Sequence, residues 1–135
     1  MNENYFDNGL SVENATTVWV TLFRYGFIEK CSFWDFLWWV GGERRRNGKL
    51  QPDTIKWTAN AVEFAFFAKL LTEKLYGKSA NTRLKPFKTM FNLSDDSYQA
   101  LIRIFLSVKD FDPYQIEEPN EAERRYLRLA KMMKV

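Results

Sequence analysis

The chain contains no histidine and a single cysteine, Cys31. Without histidine there is no Ser-His-Asp triad, no Cys-His dyad and none of the usual zinc ligand sets, and one cysteine permits no internal disulfide. Acid–base chemistry would fall to carboxylates, lysine or tyrosine, so the expectation is a non-enzymatic protein with no cofactor and no metal. Long apolar runs are missing as well. The most hydrophobic region, Val18 to Val40, is broken by Arg24, Glu29, Lys30 and Asp35. It falls short of the about 20 apolar residues that a bilayer-spanning helix needs. The opening Met1-Asn2-Glu3-Asn4-Tyr5-Phe6-Asp7 is acidic and polar, unlike the cationic and then apolar pattern of a secretory signal. These absences point to a cytoplasmic protein without a membrane partner.

What is present is apolar and aromatic. An apolar content of 46% argues against disorder, and an aromatic content of 17% is high for 135 residues, enough for one self-sufficient core or for a core plus a partner surface. The richest stretch runs from Asn60 to Gly77. Asn60 and Glu63 have the spacing of a capping box, and Gly77 stands where a left-handed C-cap glycine belongs. Between them Val62, Phe66 and Leu70 share a stripe flanked by Phe64, Phe67, Leu71 and Leu75. Glu63, Lys69, Glu73 and Lys74 are left as a narrow solvated edge.

Capping residues and apolar periodicity predict further helices on either side. Residues 1–10 read as a polar lead-in, and Ser11 caps a helix from Val12 to Tyr25 that Gly26 ends. Ser32 with Asp35 opens a short helix, Phe33 to Val40, apolar nearly all round and therefore either a core helix or an interface. Residues 54–58 alternate as a short extended segment, the alternative being that Asp53 caps a helix running on through Asn60. A helix from Thr82 to Phe91, with Pro86 near its start, stops at Asn92; Ser94 caps another from Asp95 to Val108. Residues 109–120 form a polar, proline-interrupted linker, whose Asp110 and Asp112 are an acidic turn rather than a metal site. Asn120 and Glu123 cap a last helix, 121–134, with Ala122, Tyr126, Leu129, Ala130 and Met133 on its apolar stripe. That helix either docks on the core, mediates dimerisation or lies along an anionic partner. The expected fold is mainly α, a single domain of five or six helices around an aromatic core, with at most one short extended pair. Within it, 1–108 form the core, 109–120 the linker and 121–135 the docked helix.

Charge is unevenly distributed. The balance is −4 over residues 1–43, +8 over 44–88 and −1 over 89–135. A basic middle suits an anionic partner, although cations also solvate loops and complement helix C-termini. Gly41-Gly42-Glu43-Arg44-Arg45-Arg46-Asn47-Gly48-Lys49 holds the densest cluster. The candidate phosphate contacts are Arg44, Arg45, Arg46, Lys49, Arg83, Lys85 and Lys88. The alternative is a protein-interaction module, possible partner or second copy included, using the 33–40 helix through Trp38 and Trp39 or the last helix through Tyr126, Leu129 and Met133.

One resemblance bears on this choice. Ile55-Lys56-Trp57 opens a long apolar helix with Glu63 near its start. Further on, Phe87, Met90, Phe91, Asn92 and Leu93 precede another helix. In these features residues 55–107, about half of the chain, resemble the C-terminal region of RteC-type regulatory proteins of conjugative elements. The resemblance implies a helix-turn-helix-like or winged-helix-like fold and a DNA-binding regulator of mobile-element excision and transfer genes. Two departures accompany it. The helix after Ser94 opens with Asp95 and Asp96, which repel phosphate, and the sequence carries no evident hairpin wing.

Overall fold

The protein is described by a computed structural model covering residues 4–41, 52–77, 84–110, 112, 115 and 117–133, with the side chains of Ala122, Met132 and Met133 outside the described set. Among these residues there are six helices: α1 (Val12–Arg24), α2 (Phe33–Val40), α3 (Ala61–Tyr76), α4 (Lys85–Met90), α5 (Asp95–Val108) and α6 (Glu121–Met133). The architecture is all-helical, and its extended structure is one antiparallel bridge, Ile28 to Trp57. That bridge is the expected short extended pair. No hairpin wing is found among the described residues.

The start signals act as their spacing predicts. Ser11, Ser32 and Ser94 each accept a backbone N–H of the following turn, from Asn14, Trp34 and Ser97, all at 3.1 Å. Asn60 and Glu63 close a reciprocal capping box on α3. Asn120 and Glu123 do the same on α6. Each such cap satisfies donors that a helix start leaves orphaned, contributing about 1 kcal/mol. The stops differ in detail. Gly77 has a positive φ of 90° but an extended ψ of 163°, so it leaves α3 through a glycine-specific conformation that is not the left-handed helical cap expected of it. The fourth helix starts at Lys85 rather than Thr82, because Pro86 fits only the first turn and Leu84 supplies no side-chain cap; Thr82 and Arg83 lie outside the described residues.

α3 is the hub, packing against both α5 and α6, while α1 packs against α2 and α6. Every residue from Glu63 to Thr72 is buried. The predicted stripe is therefore corrected at both edges. Val62, in the first turn, is exposed, whereas Glu63 and Lys69, expected on a solvated edge, are buried. Their charges are handled locally: Lys69 pairs with Glu73 one turn on at 3.0 Å, and Glu63 pairs with Arg125 of α6.

Around α3 the aromatic side chains form one connected cluster. Trp57, presented by the extended 54–58 segment, stacks on Phe64 and Phe67 with ring centroids 4.9 and 5.5 Å away. It also meets Phe27 at 5.6 Å and Phe91 edge-on at 6.1 Å. Such pairs contribute about 0.5–1.5 kcal/mol each beyond the area they bury. The Trp57 indole N–H donates to the Asn60 carbonyl at 3.0 Å, so this one residue also ties the approach segment to the start of α3. The segment is held on two sides: Ile55 N–H donates to the Met90 carbonyl, and Thr58 N–H to that of Phe27, both at 2.8 Å.

Of the expected polar lead-in, residues 4–10 are packed onto the fold. Phe6 and Leu10 are buried, and Phe6 sits edge-on to Phe87 at 5.2 Å. Asp7 N–H donates to the Tyr76 hydroxyl and the Asn8 amide to the Leu75 carbonyl, both at 2.8 Å. Leu10 N–H donates to the Val40 carbonyl at 2.7 Å. This strap joins α2, the end of α3 and α4.

Candidate functional site

The predicted cationic contacts separate into two sets. Arg44, Arg45, Arg46, Lys49 and Arg83 lie outside the described residues. Lys85 and Lys88 are described, and the fold brings them together. Both stand on α4, three residues apart and so on one face. The chain then turns through Phe91, Asn92 and Leu93 into α5. Asn92 adopts a positive φ of 49°, which asparagine tolerates better than most residues. Leu93 N–H closes the turn onto the Lys88 carbonyl at 2.9 Å. The result is a helix, a four-residue connection (Phe91 to Ser94) and a second helix.

On the outside of this unit, Tyr98 of α5 collects both cations. The Lys85 ammonium lies 5.6 Å from its ring centroid and that of Lys88 5.4 Å. At a surface each such contact is worth about 0.5–1 kcal/mol. Lys88 also pairs with Asp95 in the first turn of α5. The hydrogen bond and charge of Lys88 hold the Asp95 carboxyl below its ordinary 3.8, with Lys85 adding to the effect. Two cations thus share one aromatic platform. Asp95 offsets one of them, and the exposed Asp96 adds a further opposing charge. Arg103, farther along α5, is also exposed.

Other cations of the basic middle are committed elsewhere. Lys56 lies 3.7 Å from Glu29, and Lys69 is buried with Glu73. The +8 of residues 44–88 therefore overstates the field offered to a partner by the described part of that region.

The predicted protein-contact residues are redistributed. Trp39, Tyr126 and Leu129 are buried within the chain. Trp39 donates its indole N–H to the Asp53 carbonyl at 3.0 Å, and Tyr126 packs against Phe66 in a tilted pair with centroids 4.0 Å apart. None of the three is available to another molecule: α6 turns Tyr126 and Leu129 onto the core in docking on α3, and Trp39 is covered by Tyr5 and Trp38. Trp38 is half-buried between Tyr5 at 5.8 Å and Trp39 at 4.9 Å. The Met133 side chain lies outside the described residues. The exposed tryptophan of α2 is instead Trp34, at 67%. Its place at the second position of an octet with one polar residue gave no phase from which to choose it over Trp38.

A polar cleft of about 670 Å³ opens where α3 and α6 both begin, between Asn60, Glu63, Asn120, Glu121 and Arg125. Its central charges are already used: Glu63 accepts from Arg125, whose guanidinium also lies 4.4 Å from the Phe27 ring centroid. A carboxylate bound in this way is a fastener between helices rather than a free acid or base. Cys31 is half-buried; burial pushes its thiol above the ordinary 9.0, the Trp19 indole opposes this, and the Asp35 charge adds to it. The thiol is protonated near neutrality and a poor nucleophile. Among the described residues no helix is long and apolar enough to cross a membrane, and no group of three or more Cys, Asp or Glu is placed to hold a metal ion. No protein-family model, no curated protein and no solved structure matches the chain.

Proposed function

We propose that this protein is a non-enzymatic accessory or regulatory protein that contacts nucleic-acid phosphates through the α4–turn–α5 unit. The observation that carries this reading is the convergence of Lys85 and Lys88 on Tyr98 beside the turn. A helix-turn-helix connection with cations at its mouth suits backbone contact to a duplex; this part of the argument is an analogy of arrangement. Ammonium groups are point charges that position a protein on phosphate without reading bases. The resemblance of residues 55–107 to RteC-type regulators points the same way and adds a mobile-element setting. Asp95 and Asp96 work against affinity, so the contact is weak and tunable.

Fluorescence anisotropy with a labelled duplex at low salt tests this. Lys85→Ala with Lys88→Ala should weaken binding about equally on unrelated sequences, and Asp95→Asn should strengthen it. Unchanged affinity in both variants would remove α4–α5 as the contact surface.

A second reading, a protein-interaction module, is favoured by one observation: the exposure of Trp34 beside the partly exposed aromatics of α1. Binding of that kind would be nearly indifferent to salt.

A further inference from the structure

We infer that a second copy of this chain docks on the outer face of α1, giving an antiparallel two-fold dimer. The inference rests on the protein-interaction reading and is independent of the nucleic-acid one. Val12, Thr16, Trp19 and Phe23 are spaced four, three and four residues apart, the spacing of a helix-pairing seam. Val12, Thr16 and Phe23 are exposed, and Trp19 is half-buried. The core-facing residues of α1 are others, Ala15, Val18 and Leu22. Trp19 continues the surface sideways, meeting Phe33 at 5.5 Å, and Phe33 meets Trp34 at 5.6 Å.

Two features of this seam point to a second copy rather than an unrelated partner. The first is size. The bulky residues Trp19 and Phe23 occupy its C-terminal half, and the small ones, Val12 and Thr16, its N-terminal half. Antiparallel pairing about the middle of the helix sets each bulky half against the small half of its mate. The second is charge. Glu13 and Arg24 are eleven residues apart, about three full turns, and therefore flank the seam on the same side. Both are exposed, and neither has an ion-pair partner among the described residues. A two-fold axis perpendicular to the helix pair places Glu13 of each copy beside Arg24 of the other. Such an interface is isologous and closes at two subunits.

Sedimentation velocity on the full chain, from low to high micromolar concentration, tests this with three charge variants. The wild type should show a monomer–dimer equilibrium. Glu13→Arg alone and Arg24→Glu alone each set like charges together twice per dimer, and each should weaken dimerisation by at least about tenfold. The double variant, Glu13→Arg with Arg24→Glu, restores opposite charges and should recover the dimer. Circular dichroism should be unchanged throughout, because both positions are solvated. A monomer at every concentration overturns self-association, and so does a dimer indifferent to the single reversals or one that the double reversal does not restore. Binding to duplex DNA is a separate readout, so the failure of either proposal is visible without the other.

Discussion

Glu63 and Arg125 hold α3 and α6 together across a partly buried ion pair, and the same glutamate caps its own helix by accepting the Asn60 N–H at 3.4 Å. Removing Arg125 leaves a buried carboxylate without its cation. Breaking a fully buried pair costs about 3–5 kcal/mol. Arg125 keeps a third of its side chain in water, so Arg125→Ala should cost less, about 2 kcal/mol in urea unfolding. The double variant Glu63→Ala with Arg125→Ala should be less destabilised than the sum of the singles, by about 0.5–3 kcal/mol. Strict additivity would mean that the two groups do not depend on each other.

Phe66 lies in the contact between α3 and Tyr126 of α6. Phe66→Ala should destabilise the fold by about 3–5 kcal/mol, the range for truncating a buried aromatic. A loss below about 1 kcal/mol would mean that α6 does not depend on this contact.

Asp95 offers a titration with a definite sign. Its folded-state carboxyl is held below the ordinary 3.8 by Lys88. A depressed carboxyl contributes stability that is present above the unfolded-state value and is lost as pH falls through the folded-state one. NMR titration of the Asp95 side chain should therefore give a midpoint under 3.8, and Lys88→Met should move it upward. A midpoint that ignores Lys88→Met would break the proposed pairing.

Cys31 should react slowly with a disulfide reagent at neutral pH and faster as pH rises past its ordinary 9.0. Chelators should leave the melting temperature unchanged. Rapid labelling at pH 7 would contradict the burial of the thiol, and a large melting shift on chelation would reveal a metal.

The starts of all helices but α4 were legible because Ser11, Ser32, Asn60, Ser94 and Asn120 are short-range signals whose partners lie within three residues. Periodicity also identified most of the α3 core. It could not show that Glu63 is inside, since that depends on Arg125, 62 residues away. Nor could it place Phe6, whose burial against Phe87 is decided by a strap folding over α3 and α4. In α2 the octet is too uniformly apolar to carry a phase, so the choice between Trp34 and Trp38 belonged to the tertiary fold. The Lys85–Lys88 pair was visible as charge, but its focus on Tyr98 and its partial cancellation by Asp95 arise only when α5 folds back across the turn.

The most direct measurement of nucleic-acid binding is the dependence of duplex affinity on salt, taken for the wild type and two variants. Each phosphate contact contributes about 0.9 to the slope of log affinity against log salt on duplex DNA. Replacing Lys85 and Lys88 with alanine should flatten the slope by about 1–2, and replacing Arg44, Arg45 and Arg46 together should flatten it by about 2–3. The wild type should bind at low salt and weaken steeply as salt rises, while both variants keep their fold. If no binding is found at low salt, or if the slope is the same in all three proteins, the chain does not contact nucleic acid through these residues.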